Sequence, residues 1–256
     1  MTQLKRVVVT GIGAITPLGN DVKTFWENIK SGKSGADWIT KFDASKFKTR
    51  FACEVKGFDT DRYFDKKEAR KMDLVCHYSI AAADEAIKSA GLELDKINKE
   101  RVGVIWGSGN GGITTFHQQV TEFALGDGTP KFNPFLVPKM IVDMASGLIA
   151  IRYGFMGVNF APVSACATST SAIIEAYDNI RLGKADIIVS GGAEAPIVES
   201  GVGGFGALKA LSTRNDDFKT ASRPYDVDRD GFVIGEGAGA LILEEMEHAK
   251  ARGAVI

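Results

Sequence analysis

The chain has 256 residues, a formal net charge of −1, 45% hydrophobic and 25% charged content, which suffices to bury a large core in one big domain or two small ones. So small a net charge sets up no long-range field for nucleic acid or a membrane surface, so any charged partner has to be met by a local patch; nothing approaches the ~18 consecutive apolar residues of a membrane span. Three irregularly spaced cysteines, Cys53, Cys76 and Cys166, fit neither a disulfide framework nor a CxxC metal pattern, and no signal-peptide core follows Met1. A cytoplasmic, reducing environment is the expected home.

In chain order, Val7 to Ile12 reads as a short strand running into Gly11-Ile-Gly13, and Asp21 to Ser31 as a helix with Asp21 near its N-cap. Lys41 to Phe64 is irregular and aromatic, like an insertion. Met72 to Ala90 is helical, with Val75, Ser79, Ala82 and Ala86 as a small-residue stripe and Gly91 closing it. Arg101 to Trp106 is a strand entering the loop Gly107-Ser-Gly-Asn-Gly-Gly112. Helices are expected over Thr114 to Leu125 and Val137 to Tyr153, then a strand over Phe160 to Ala165 and a helix over Ala167 to Gly183. A strand at Asp186 to Ser190, a glycine-rich helix or turn at Gly201 to Leu211, a polar stretch Ser212 to Asp230, a strand at Gly237 to Leu243 and a short helix near Glu247 to Arg252 complete the order. Strands separated by helices predict an α/β fold with a mostly parallel sheet covered by helices. No linker-like segment divides the chain, and the apolar run Gly253 to Ile256 reads as the start of a further strand, as if the fold were cut there.

Cys166 stands at the junction of the Phe160 strand and the alanine-rich helix. There, unpaired N–H groups and the positive end of the helix dipole favour thiolate over thiol; a small buried hydrophobe is the plain alternative. The glycine loop lacks the spacing of a phosphate loop and a following lysine, so its glycines read as sites of close backbone approach; Gly11-Ile-Gly13, without a third glycine and an acidic residue at the expected distance, is a weak dinucleotide signal. The Asp-rich stretch from Ser222 to Gly239 fails the EF-hand spacing and reads as turns held by Asp and Arg. His77, His117 and His248 are too scattered for a metal site, which leaves Cys166 without an evident base. Lys67, Arg70 and Lys71 share a helix face, either as a solvated helix start or as a docking patch for an acidic partner.

The motifs KRVVVTGIGAITPLGN, RKMD, GSGNGG, VSACATSTSA, VSGGAEAP, GVGGFGALKALSTRND and SRPYDVDRDGFVIGEGAGALILEE, in that order, identify a resemblance to the elongating, type II β-ketoacyl-acyl-carrier-protein synthases. The resemblance runs end to end and implies that residues 1–256 are the N-terminal half of a thiolase-like fold, one βαβαβαββ unit, whose sister half is absent. It implies that Cys166 accepts the acyl group, with its own N–H as one arm of an oxyanion hole, and that Asn110 borders the acyl pocket, where larger apolar residues are familiar. Lys67, Arg70, Lys71, Lys131 and Lys209 match a basic surface for acyl carrier protein. Substrates would arrive on the carrier's phosphopantetheine, with no separate cofactor and no metal, and the protein would be a homodimer with no nucleic acid or membrane partner. The implied reaction is acyl transfer to Cys166, then decarboxylative condensation with malonyl-carrier protein, lengthening a fatty acyl chain by two carbons. The family's histidines lie in the missing half, so this chain alone is expected not to condense. Polyketide ketosynthases and a non-catalytic chain-length or scaffold subunit share these motifs, though the last typically lacks the cysteine.

Overall fold

The computed structural model describes residues 4–256. In chain order the elements are β1 (Val7–Ile15), α1 (Val22–Lys30), β2 (Asp37–Trp38), β3 (Phe51–Ala52), α2 (Lys66–Ala69), α3 (Leu74–Ser89), β4 (Val102–Gly107), α4 (Ile113–Leu125), α5 (Leu136–Met140), α6 (Met144–Tyr153), β5 (Asn159–Phe160), α7 (Thr168–Arg181), β6 (Ile187–Glu194), α8 (Glu199–Ala207), β7 (Gly237–Glu245) and α9 (Met246–Ala251). The five-stranded sheet has the order β1-β7-β6-β4-β5. Strands β6, β4 and β5 pair in parallel, while β7 is antiparallel to both β6 and β1. Four of the five strands therefore point one way, as the α/β expectation requires, and β7 alone runs against them. Leaving aside the short inserted elements, β1-α3-β4-α6-β5-α7-β6-β7 is the βαβαβαββ order.

The sheet is covered unequally. On one face α3 and α6 pack over Val102, Val104, Trp106, Ile187, Val189 and Ile242. On the other, α7 supplies Ala172, Ala176 and Ile180 against Ile105, Ile188 and Leu243. Helix α3 starts where Asp73 accepts from the Val75 N–H, and the other oxygen of this buried carboxylate accepts from the N–H and hydroxyl of Thr115 on α4. One N-cap thus serves two helices. The expected small-residue stripe of α3 lies on β1: a Cβ on Gly13 would stand 2.0 Å from the Ala82 carbonyl oxygen, and one on Gly11 2.3 Å from that of Ala86. The glycine pair therefore belongs to helix–sheet contact inside a strand.

Three expectations are corrected. The helix expected over Val137 to Tyr153 is two helices, because Ile141 turns extended and the Met140 carbonyl accepts the Gly112 N–H at 3.1 Å instead of continuing a helical ladder. The strand expected over Phe160 to Ala165 stops at Phe160 after pairing Asn159 and Phe160 with Val104 and Ile105; Pro162 has no N–H for the ladder. Gly253 to Ile256 forms no strand, and Ala254 donates back to Ala249. The polar stretch after Ser212 contains a 3-10 segment, Asn215–Thr220, and from Ser222 it turns as expected, with Arg223 against Asp226, Asp226 accepting from the Asp228 N–H, and Arg214 against Asp230.

Candidate active site

Cys166 is exposed and occupies the middle of a tight 3-10 turn, Ala165–Ala167, that leads directly into α7. As a residue of that first turn it has no intrahelical acceptor for its N–H. Ala165, just before it, has φ +51, a left-handed conformation that costs a residue with a Cβ about 1–2 kcal/mol. The turn is held from both sides. The Ser164 N–H donates to Thr168 Oγ1 at 2.8 Å, and the Ser164 and Ser171 hydroxyls pair at 2.7 Å. The head of α7 drops onto glycines at the carboxyl ends of β4 and β6. A Cβ on Gly107 would meet Thr168 Cγ2 at 2.2 Å, and one on Gly192 would meet Ser169 Oγ at 2.2 Å. These glycines let a helix N-terminus, with its free N–H groups, sit on the edge of a parallel sheet.

The loop Gly107 to Gly112 lies beside this turn. Asn110 is exposed, and its Nδ2 donates to Glu194 Oε2 at 2.8 Å. Gly111, at φ +57, donates to Ser108 Oγ at 2.9 Å. An apolar cleft of about 500 Å³ opens one turn along α7, walled by Ile15, Pro17, Phe25, Cys53, Ser169 and Glu194. Cys166 does not line it. Burial pushes the Cys53 thiol in that wall up, and pushes that of buried Cys76 up to about 12; of the three cysteines Cys166 is the exposed one.

Each histidine is engaged away from Cys166. His77 Nε2 lies 3.0 Å from the Ala69 carbonyl oxygen, His117 pairs with Glu199 at 2.8 Å and His248 with Glu244 at 2.6 Å. Burial lowers the His77 pKa, against the Ala69 hydrogen bond. Lys67, Arg70 and Lys71 are exposed at α2 and its end. Lys71 lies over the Phe135 ring at 5.6 Å, which joins α2 to the exposed segment carrying Lys131. Lys209 is exposed just beyond α8 at φ +56. It borders two clefts, one shared with Lys46 and Lys48 and the other with Arg223 and Arg229.

A family model, the beta-ketoacyl synthase N-terminal domain, matches residues 4–249. The chain belongs to this family. It is 48% identical over 259 residues to 3-oxoacyl-[acyl-carrier-protein] synthase 2 of Staphylococcus aureus (strain COL), covering 100% of this chain and 61% of that protein. A beta-ketoacyl synthase crystal structure from Burkholderia phymatum STM815 superposes with a TM-score of 0.88 at 35% identity, covering 99% of this chain and 62% of that one. A type II PKS acyl-carrier protein in complex with its ketosynthase, bound to the hexaketide, gives a TM-score of 0.76 at 25% identity, over 98% of this chain and 65% of the other. The chain thus spans about three fifths of the length of the curated synthase it matches.

Sequence reasoning singled out Cys166 and Asn110 but passed over the carboxylates that organise this synthase domain. Glu194 closes the VSGGAE run on β6 and reaches across to the Asn110 loop. Glu236, with no side-chain exposure, takes Lys41 at 2.5 Å and the Val55 N–H at 2.9 Å, and Glu244 is equally enclosed. The available signal was an acidic residue at the end of, or inside, an otherwise apolar strand, a place where an unpaired charge is too costly to leave alone.

Proposed function

We propose that residues 1–256 are the N-terminal, acyl-accepting half of a 3-oxoacyl-acyl-carrier-protein synthase of fatty acid elongation, working in the cytoplasm. The observation that carries this reading is the exposed Cys166 in its strained turn at the head of α7. The sulfur attacks the thioester carbonyl of an acyl group carried on phosphopantetheine; the new S–C bond forms as the carrier's sulfur leaves and takes a proton. Negative charge gathers on the carbonyl oxygen, and the unpaired Cys166 N–H is one donor for it. The second donor and the histidines that stabilise the enolate from malonyl decarboxylation come from a segment beyond this chain. Asn110 borders the acyl pocket.

Acyl carrier protein docks on Lys67, Arg70, Lys71, Lys131 and Lys209. Support comes from the absence of carboxylate partners for these five among the described residues and from the carrier-bound ketosynthase of similar fold. Strand β5, at the sheet edge next to the Cys166 turn, has an unpaired outer side that suits homodimer formation. The fatty acid reading is favoured by 48% identity to a 3-oxoacyl-acyl-carrier-protein synthase 2, against 32% to a ketosynthase/chain length factor and 25% to a type II PKS ketosynthase. Incubation with acyl-carrier protein followed by intact mass and peptide mapping tests it. Cys166 should gain the acyl mass and Cys166→Ala should gain none; an unmodified wild-type Cys166 would refute the assignment.

A further inference from the structure

Glu194 takes no part in the chemistry assigned to Cys166, yet it organises the loop beside it. Its Oε1 accepts from the Gly109 N–H, from the Asn110 N–H at 3.3 Å and from Ser108 Oγ at 3.3 Å, while Oε2 accepts from Asn110 Nδ2 at 2.8 Å. Among the described residues it belongs to no ion pair. The charge is thus met by loop donors, in the manner of an anion in a nest of N–H groups, so carboxylate and loop hold one another in place. That loop abuts the nucleophile turn. A Cβ on Gly109 would lie 3.1 Å from Glu194 Oε1 and 3.3 Å from the Ala165 carbonyl oxygen, so the Gly109 backbone fills the space between the carboxylate and the residue preceding Cys166. A left-handed Ala persists only where its surroundings over-determine it, and this packing is one of the constraints on Ala165.

We infer that Glu194 and Asn110 form a latch that positions Cys166 for attack: two positioning residues that act through Gly109 and Ala165. The inference rests on the acyl-transfer role proposed for Cys166. It also gives the amide of Asn110 a duty that a hydrocarbon side chain at this position could not perform.

The test uses the protein at the length its source makes it, with acyl-carrier protein as donor. Glu194→Ala removes the acceptor, Asn110→Asp sets a second carboxylate against the first, and the double variant N110D/E194Q rebuilds a carboxylate–amide pair with the charge moved across it. The readouts are the rate of Cys166 acylation by intact mass, the rate of alkylation by iodoacetamide and the thermal midpoint. Each single variant should slow acylation by about tenfold or more, as a displaced nucleophile does. Alkylation, which needs only an accessible thiol, should stay within about threefold. The double variant should recover most of the acylation rate. Single variants that acylate at the wild-type rate would overturn the latch, as would a double variant that regains the wild-type midpoint and still acylates as slowly as N110D. Wild-type protein that alkylates at Cys166 but never acylates there would instead remove the acyl-transfer reading, and the latch with it.

Discussion

Glu244 has no side-chain exposure, yet it carries a carboxylate into the core. Thr10 Oγ1 donates to it at 2.8 Å, Arg252 at 2.7 Å through both Nε and Nη2, and His248 Nδ1 lies 2.6 Å away. Burial pushes its pKa up, but the hydrogen bonds from Arg252, His248 and Thr10 and the Arg252 charge outweigh it, leaving the carboxyl below its ordinary value. Arg252 also donates to the Ala90 carbonyl at 2.8 Å, tying the end of α9 to the end of α3. Arg252→Ala strands a buried charge and should cost about 3 kcal/mol at neutral pH in chemical denaturation. The sign of the pH dependence follows from the depressed folded pKa. The stability from this pair is complete above the unfolded carboxylate value of roughly 4.3 and is lost as pH falls through the lower folded value. The gap between wild type and R252A should therefore narrow on acidification; a gap that stays constant down to pH values of about 3 would contradict the role of ionised Glu244.

Among the elements, the contact between β1 and α3 is the most demanding sterically. The Ala82 carbonyl oxygen would stand 2.0 Å from a Cβ on Gly13, and because the obstacle is backbone, one element must move bodily. Gly13→Ala should destabilise by about 2–3 kcal/mol. Gly204, inside α8 with nothing near its missing Cβ, supplies the opposite case: Gly204→Ala should stabilise by about 0.5–1 kcal/mol through helix propensity and unfolded-state entropy. Urea midpoints of both variants check the pair, and equal shifts would mean that α3 does not pack on β1 this closely. The small-residue stripe of α3 was legible because it is a local spacing, while its fit to the glycines of β1 needed the two elements side by side. The break between α5 and α6 was not, since it depends on a Met140 carbonyl diverted to Gly112, 28 positions earlier in the chain.

Taken whole, the molecule leaves large apolar side chains uncovered on the outer side of α7 and on β1. Outside α7, Ile174 is 53% exposed, Tyr177 40% and Leu182 58%, while Val9 and Ile12 of β1 are also exposed. Apolar side chains exposed together on one helix suit a face that another segment covers. In the proposed reading the further length of the synthase relatives includes the segment that covers it. A polypeptide of only these 256 residues should associate in solution and bind hydrophobic dyes. Ile174→Glu combined with Leu182→Lys should reduce both, as read by light scattering and dye fluorescence, without loss of helical circular dichroism. A monodisperse, dye-silent wild-type chain would argue against an unpartnered face.

What the sequence by itself determined is whatever depends on neighbours along the chain. The strand and helix order, the Asp21 cap, the small-residue stripe of α3, the cysteine at a strand–helix junction and the basic run around Lys67 all follow from spacing and residue type, whereas the Asp73 cap, inside the helix expected from Met72, came with the structure. The family's motifs carried the fold class further than periodicity alone. Only the tertiary structure decided what depends on residues brought together from far apart. Glu194 meets Gly109 across 85 positions, Lys41 meets Glu236 across 195 and Thr10 meets Glu244 across 234. The left-handed turn at Ala165, the reversed direction of β7 and the shortness of β5 belong with these. Each exists because a distant group occupies or vacates the space beside it, and local propensity holds no record of which distant group that is.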